Sequence, residues 1–210
     1  IDTSVKERRK VKISRAALAH DMQNLTSELQ ILAKESYAKR SATEIAKPAG
    51  ELPKSESGAG RLYGSVVHKC LELMAAGRKL GTHDIERICG EFELSPKPVE
   101  KIAAELRKVN QSELWRRAMK APERHAEVPF ALFLENDVLV SGVIDLVFKE
   151  NGRWYLVDFK TDRIAGEAKA HVDFYSGQLQ LYSRAWKKLT GTEIAEAVLF
   201  FTDSCTAYPV

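Results

Sequence analysis

This sequence of 210 residues is poor in cysteine and has neither long apolar runs nor a glycine-rich phosphate loop. Its three cysteines, Cys70, Cys89 and Cys205, are an odd number without CxxC spacing. That argues against a disulfide framework or a structural zinc site and favours a reducing compartment. No apolar stretch approaches the ~18 residues that a membrane-spanning helix needs, and no secretory signal opens the chain. A cytoplasmic protein with no membrane partner is therefore expected. No GxxxxGK[ST] string occurs, so this chain carries no ATP-binding loop of its own. What is present is an ordinary globular mixture, 44% hydrophobic and 29% charged, which excludes disorder throughout. At roughly 150 residues per domain, the length fits one large domain or one domain with an appendage. The first residue is Ile1 rather than Met, and the expectation is a piece of a longer polypeptide.

The formal net charge of +3 hides a gradient. Residues 1–60 hold 11 basic and 8 acidic groups, residues 61–125 hold 13 and 9, and residues 126–210 hold 8 and 12. A basic beginning and an acidic end would suit a polyanion held over carboxylates, though solvated surfaces alone can give a split of this size. Six of the basic groups lie between Lys6 and Arg15, open to reading as a solvated tail or as a phosphate-contacting arm.

Periodicity gives an element order. Ser14 can cap a helix running to about Lys39, and residues 41–60 have the Ala, Ser, Pro, Gly, Lys and Glu composition of a linker. A helix from Gly64, a short one over Asp84–Phe92, one opened by Ser95 and Pro96, and a piece carrying Trp115 and Met119 follow. After Pro122 the pattern turns to strands: Val128–Glu135, Val138–Lys149 and Arg153–Lys160. Corners fall at Asn136-Asp137 and Asn151-Gly152, giving an antiparallel meander. A polar loop over 161–170, a helix His171–Leu189 and a final apolar strand Ala195–Thr202 complete the chain.

The chemistry concentrates in SGVIDLVFKENGRWYLVDFKTD, residues 141–162. Asp145 interrupts an apolar strand, where its carboxylate must reach solvent or be stabilised by a cation. Pairing about Asn151-Gly152 brings it near Asp158 on the next strand, within a two-residue step. Alternation then puts Asp158 and Lys160 on one face. Two carboxylates meeting at a strand end repel unless a divalent ion neutralises them, and oxygen ligands suit Mg²⁺ or Mn²⁺. The plain alternative is a pair of exposed carboxylates neutralised by Lys160 or other surface bases.

In order along the chain stand Gly64 and His68, Gly142 and Asp145, Asp158 and Lys160, then Gln178, Leu179 and Tyr182. With these the sequence resembles the RecB-type branch of the PD-(D/E)XK nucleases, in particular the C-terminal nuclease domain of the AddA and RecB helicase-nucleases. That family's pattern is GxxxH on a helix, GxxD and DxK on successive strands, and QLxxY on the next helix. The likeness covers roughly Gly64–Asp203, and Glu127-Val128-Pro129-Phe130 looks like the family's first strand. DFKT stands where DYKT is common. Residues 1–60 and 75–122 do not align.

The resemblance implies an α/β fold with a restriction-endonuclease-like core: helix, three-strand meander, helix, strand, in a mixed sheet of about four strands flanked by helices. Residues 1–60 would form a basic N-terminal helical extension and linker, and residues 61–210 the nuclease domain. It implies that Asp145, Asp158 and the backbone carbonyl of Phe159 ligate a catalytic Mg²⁺ or Mn²⁺. His68 would be a further ligand or stand just outside the ligand set. Lys160 would orient or activate the attacking water, braced with the scissile phosphate by Gln178 and Tyr182. Helical packing remains the alternative for His68, Gln178 and Tyr182, and Glu127 reads equally as a carboxylate beside the metal's ligands or as an exposed one. No iron–sulfur cluster is expected, because four clustered cysteines are missing.

The implied activity is metal-dependent hydrolysis of DNA, of exonuclease type. It would belong to the C-terminal part of an ATP-dependent helicase-nuclease in double-strand-break repair. Its partners would be DNA, a second helicase-nuclease subunit, and helicase motor domains upstream on the same polypeptide. One rival is a stand-alone nuclease of the same superfamily. The other is a degenerate domain that binds DNA without cleaving it, and the intact Asp145, Asp158 and Lys160 speak against it.

Overall fold

The computed structural model describes residues 38–46, 60–134, 138–162 and 168–210. Two compact units are present, residues 1–38 and 39–210, and the second holds nearly all of the described residues. The helix expected from Ser14 lies outside the described residues except at its last positions. There the backbone is extended, in strand β1, Ala38–Ser41. Helix α1, Ala42–Ala46, follows inside the stretch whose composition reads as linker.

Four helices come next, with bounds shifted by a few residues from those expected. They are α2 over Gly60–Ala75, α3 over Thr82–Glu91, α4 over Val99–Gln111 and α5 over Glu113–Lys120. Helix α2 forms because Tyr63, Val66, Val67, Cys70 and Leu71 recur at three- and four-residue steps and are all buried. Ser112 opens α5 by accepting the Trp115 backbone N–H on its hydroxyl, the usual service of a serine N-cap.

Strands β2 (Glu123–Leu134), β3 (Val138–Glu150) and β4 (Arg153–Lys160) form the expected meander. At its second corner Asn151 and Gly152 both take left-handed φ, 51° and 76°, as a two-residue hairpin turn requires. Helix α6, Ala168–Thr190, carries the chain over the sheet to β5, Ile194–Phe201, which lies parallel to β4. Strand β6, Thr206–Pro209, returns antiparallel to β5. Among the described residues the sheet is mixed, as expected, but has six strands rather than about four. The two additional strands, β1 and β6, span four residues each, too short to show a period.

Helices α2–α5 pack against Leu146, Phe148, Val157, Phe159 and Phe200 on one face of the sheet. Helices α1 and α6 pack against Ile144, Val147, Leu156, Leu199 and Phe201 on the other. Leu179 of α6 is fully buried there, a contribution of about 2 kcal/mol from its side chain alone. None of the helices among the described residues is long and apolar enough to cross a membrane.

One irregularity positions the site. Side chains of a strand alternate between faces, yet Ile144 and Val147 share one face while Leu146 and Phe148 share the other. The alternation slips by one at Asp145. On β2 it slips likewise between Ala126 and Val128. Glu127, the residue between them, has φ of 50°, a left-handed conformation that costs a non-glycine residue on the order of 1 kcal/mol or more.

Candidate metal centre

The slip puts two carboxylates side by side. Pairs Ala126↔Leu146 and Val128↔Ile144 bracket the break, so Glu127 and Asp145 stand opposite each other across it. On the other edge of β3 the ladder with β4 begins at Leu146↔Val157 and extends toward the hairpin. Asp145 and Asp158 fall one step beyond its last pair, where the two strands part. There Asp145 Oδ2 accepts the Phe159 backbone N–H at 2.7 Å, in place of a ladder partner.

Helix α2 lays His68 over this fork, with Nδ1 3.4 Å from Asp145 Oδ1 and its ring edge-on to Phe159 at 6.4 Å between centroids. One donor atom from each of His68, Glu127 and Asp145 lies within 4.8 Å of the other two, a group that could hold a metal ion. A Cβ on Gly64 would come 3.3 Å from Thr161 Oγ1, close enough that the threonine side chain would have to give by a few tenths of an ångström. A Cβ on Gly142 would meet the Phe130 ring at 2.8 Å, under van der Waals contact.

The charges at the fork are far from their ordinary states. Burial works against the His68 imidazolium, but the charge and hydrogen bond of Asp145 outweigh it and lift the group to about 9. Burial pushes Asp145 up in turn, and His68 overrides that, with help from Lys160 and the Phe159 N–H, to hold the carboxylate below its usual range. Glu127 rises to about 7, through burial and then the nearby charge of Asp145. Asp158 rises to about 6, because burial and Asp145 outweigh the attraction of Lys160. Crowded carboxylates of this kind need a cation that the side chains supply only in part.

A second group adjoins the first. Lys160 Nζ stands 2.6 Å from Asp158 Oδ2 in an ion pair, and that buried oxygen has no further hydrogen-bond partner among the described residues. The ammonium also donates to Gln178 Oε1 at 3.1 Å, and Gln178 Nε2 donates to the Tyr182 hydroxyl at 2.6 Å. Lys160 also lies 4.5 Å over the ring of Tyr175, whose hydroxyl donates to Asp162. Burial foremost pushes the phenols of Tyr182 and Tyr175 up, so both stay protonated donors.

All the side chains singled out from sequence therefore converge, in two sets. His68 and Asp145 form one with Glu127, and Asp158, Lys160, Gln178 and Tyr182 form the other. Asp158 is not within the 4.8 Å group, and Glu127 is. Sequence reasoning left Glu127 undecided because its register is hard to read. A two-residue corner at Asn136-Asp137 would pair it with Leu146. The strands instead close with Leu134↔Val138, three residues apart, which moves Glu127 opposite Asp145.

Glu105 was not foreseen at all. This buried carboxylate of α4 accepts hydrogen bonds from the Tyr63 hydroxyl of α2 and the Thr202 hydroxyl after β5. The Thr202 N–H donates to the Lys160 carbonyl at 2.9 Å, so Glu105 ties the helix of His68 to the strand end of Lys160. No spacing in the sequence joins residues 63, 105 and 202.

The remaining histidines stand apart from the site. His83 is exposed beside Glu86, and His125 stacks near Trp154 and Trp186. His171 is buried under helix α6, edge-on to Phe201. His20 lies outside the described residues. Trp115, Trp154 and Trp186 are each under 10% exposed, built into the cores rather than offered to bases.

Comparison with known proteins gives a consistent pattern. The family model described as the PD-(D/E)XK nuclease superfamily matches residues 35–208. An ATP-dependent helicase/nuclease subunit from Carboxydothermus hydrogenoformans is 31% identical over 163 residues, 68% of this chain and 14% of that protein. The protein of the same name from Acetivibrio thermocellus is 27% identical over 154 residues, 65% of this chain and 12% of its own length. That from Bacillus pumilus is 36% identical over 74 residues, 31% and 6% respectively. The chain thus spans 14% or less of the length of these curated relatives.

Proposed function

The chain belongs to the PD-(D/E)XK nuclease superfamily, and from that premise we propose that it hydrolyses DNA phosphodiester bonds with a divalent metal. The observation that carries this reading is the donor group of His68, Glu127 and Asp145 beside buried Asp158, paired with Lys160 at 2.6 Å. An oxygen-rich set with one imidazole fits Mg²⁺ or Mn²⁺ better than zinc. Asp145, Asp158, His68 and the Phe159 carbonyl are the proposed ligands, with Glu127 added from its position. The metal would polarise the scissile phosphate and lower the pKa of a water.

This chain's own residues would do the rest. Lys160, aimed by Gln178, would orient the attacking water and offset charge developing on the phosphate. Gln178 and Tyr182 would keep that ammonium in place, since the hydrogen-bond chain ends on a phenol that stays protonated. Glu105 would act only as a positioning residue. Burial of Asp158 and Asp145 keeps competing water from screening these charges.

The names of the relatives support a wider setting. We propose a nuclease domain over residues 61–210 preceded by a basic segment, residues 1–60, of which β1 and α1 lie along the domain. The parent would be a cytoplasmic ATP-dependent helicase-nuclease acting in double-strand-break repair. Motor domains would lie on the same polypeptide, a second subunit beside it, and cleavage would be of exonuclease type. The test is cleavage of end-labelled single- and double-stranded DNA with Mg²⁺, with Mn²⁺ and with chelator. Cleavage only with metal is expected. Undiminished cleavage in chelator, or none with either metal, would end this reading.

A further inference from the structure

A second concave site lies on the helical side of the molecule. The end of α2, the start of α3, and helices α4 and α5 enclose a cavity of about 550 Å³, within the range that holds a small organic ligand. Its lining has two chemical halves. Met74, Leu80 and Met119 give half-buried apolar walls, backed by the buried Leu106 and Trp115. Arg78, Lys79 and Arg107 are exposed at its mouth, and Arg124 completes the lining.

No acidic residue is among the fifteen that line it. The Arg124 guanidinium is occupied, donating to the carbonyls of Ala75, Met119 and Ala121. The Arg78, Lys79 and Arg107 side chains make no ion pair among the described residues. A pocket with apolar walls and three free cations at its mouth fits a ligand with a flat apolar part and phosphate charge.

Position narrows the source of that ligand. Met74 lies six residues beyond His68 on α2, about 9 Å along the axis. Arg124 lies three residues before Glu127 on β2, about 10 Å by strand rise. The Trp115 ring also reaches Phe159, 6.1 Å between centroids. By three independent elements the cavity is a near neighbour of the fork. We propose that it takes one unstacked nucleotide of the single DNA strand whose phosphodiester lies at the fork. The base would sit against the apolar walls and its flanking phosphates at Arg78, Lys79 and Arg107. A volume of about 550 Å³ admits one nucleotide unit and not a base pair with its neighbours, so the bound base must be out of its stack. The proposal rests on the nuclease reading for which strand is bound, but the binding is testable by itself.

The experiment compares the protein with a triple variant, Arg78→Glu, Lys79→Glu and Arg107→Glu, and with a control, Lys97→Glu, Lys120→Glu and Lys188→Glu, exposed cations outside the cavity. Binding of a fluorescent twelve-nucleotide strand is measured by anisotropy in chelator at several salt concentrations. The cavity variant is expected to bind at least about tenfold more weakly, and its salt dependence should lose a slope of about 2, near 0.7 per lost phosphate contact. The control should lose distinctly less. An oligonucleotide bearing 5-iodouracil should crosslink under ultraviolet light to Met74 or Met119.

Equal losses in the two variants, or crosslinks only elsewhere, overturn the proposal. So does strong uptake of thymidine monophosphate by the cavity with no change in strand binding. Turnover of bis(p-nitrophenyl) phosphate, which occupies the fork alone, should be unchanged in the cavity variant. If that compound and DNA both resist cleavage by the unmodified protein while the binding difference persists, the nuclease reading fails and the cavity assignment stands.

Discussion

Two carboxylates among the described residues are almost fully buried, Glu105 at 5% exposure and Asp158 at 1%, and their surroundings differ in kind. Glu105 receives two hydroxyl hydrogen bonds, from Tyr63 and Thr202, and knits three elements together. Asp158 keeps an oxygen with no further hydrogen-bond partner among the described residues, faces Asp145, and has its pKa lifted to about 6 by burial first. Its ion-pair partner is the Lys160 ammonium at 2.6 Å, and a carboxylate that shares one cation with a neighbouring carboxylate is suited to take up another. Glu105 belongs to the architecture that holds the fork, and Asp158 to what the fork holds.

The sharpest break in that comparison is expected from Asp158→Ala. Cleavage should fall at least about 1,000-fold, about 4 kcal/mol of transition-state stabilisation. The metal-free melting temperature should stay level or rise slightly, because relief of the repulsion from Asp145 offsets the loss of the Lys160 pair, whose ammonium keeps Gln178. Full activity with metal supplied would take this carboxylate out of the mechanism.

Lys160→Ala is expected to cost somewhat less, about 100-fold in turnover or about 2.7 kcal/mol. The His68, Glu127 and Asp145 group is untouched, so a thermal shift on adding Mn²⁺ should persist. Loss of that shift would make Lys160 part of the metal's support.

Glu105→Ala should show the opposite profile. Two buried hydrogen bonds to this carboxylate are lost, though the Thr202 hydroxyl keeps the Lys160 carbonyl at 3.2 Å; the cost is about 2 kcal/mol, which for a domain of this size lowers the melting temperature by roughly 4–8 °C. Turnover per folded molecule at saturating metal should change far less than in Asp158→Ala. A thousandfold loss without destabilisation would place Glu105 in the chemistry.

The smallest effect concerns His68 and pH. Its folded pKa of about 9 exceeds the ordinary 6.5, so the stability from the imidazolium is fully present below 6.5 and disappears as pH rises through 9. The metal-free protein should therefore become less stable between those values. Metal requires the neutral ring, so Mn²⁺ affinity should rise by up to about tenfold per pH unit between pH 7 and 9. Calorimetric titration of His68→Ala should show weaker binding and a flattened slope, while His83→Ala and His171→Ala keep both. Equal affinities in all three would return His68 to helix packing.

Much of this was legible before the structure. The hairpin at Asn151-Gly152 is a local matter of left-handed φ, and it alone aligns Asp145 with Asp158. The stripe on α2 and the alternation of β4 follow from periods that neighbouring residues display. Short elements without a period, β1, α1 and β6, could not be read, nor could the bounds of helices α3 and α4 to better than a few residues. Glu127 needed the length of the β2–β3 connection, a difference of one residue that decides which face a side chain takes.

By itself the sequence determined which residues can carry charge and ligand atoms, and the order of the elements that bear them. It did so because residue type and periodicity are local properties of the chain. Tertiary structure decided which of those charges are neutralised. Glu105 finds its donors 42 positions before and 97 positions after it, and Asp158 shares the Lys160 ammonium with a second carboxylate, Asp145, close by. That crowding depends on the slip of alternation at Glu127 and Asp145 and on the parting of β3 from β4. Neither is a local property of the chain, and burial fixes the electrostatic cost of a charge only once packing is complete.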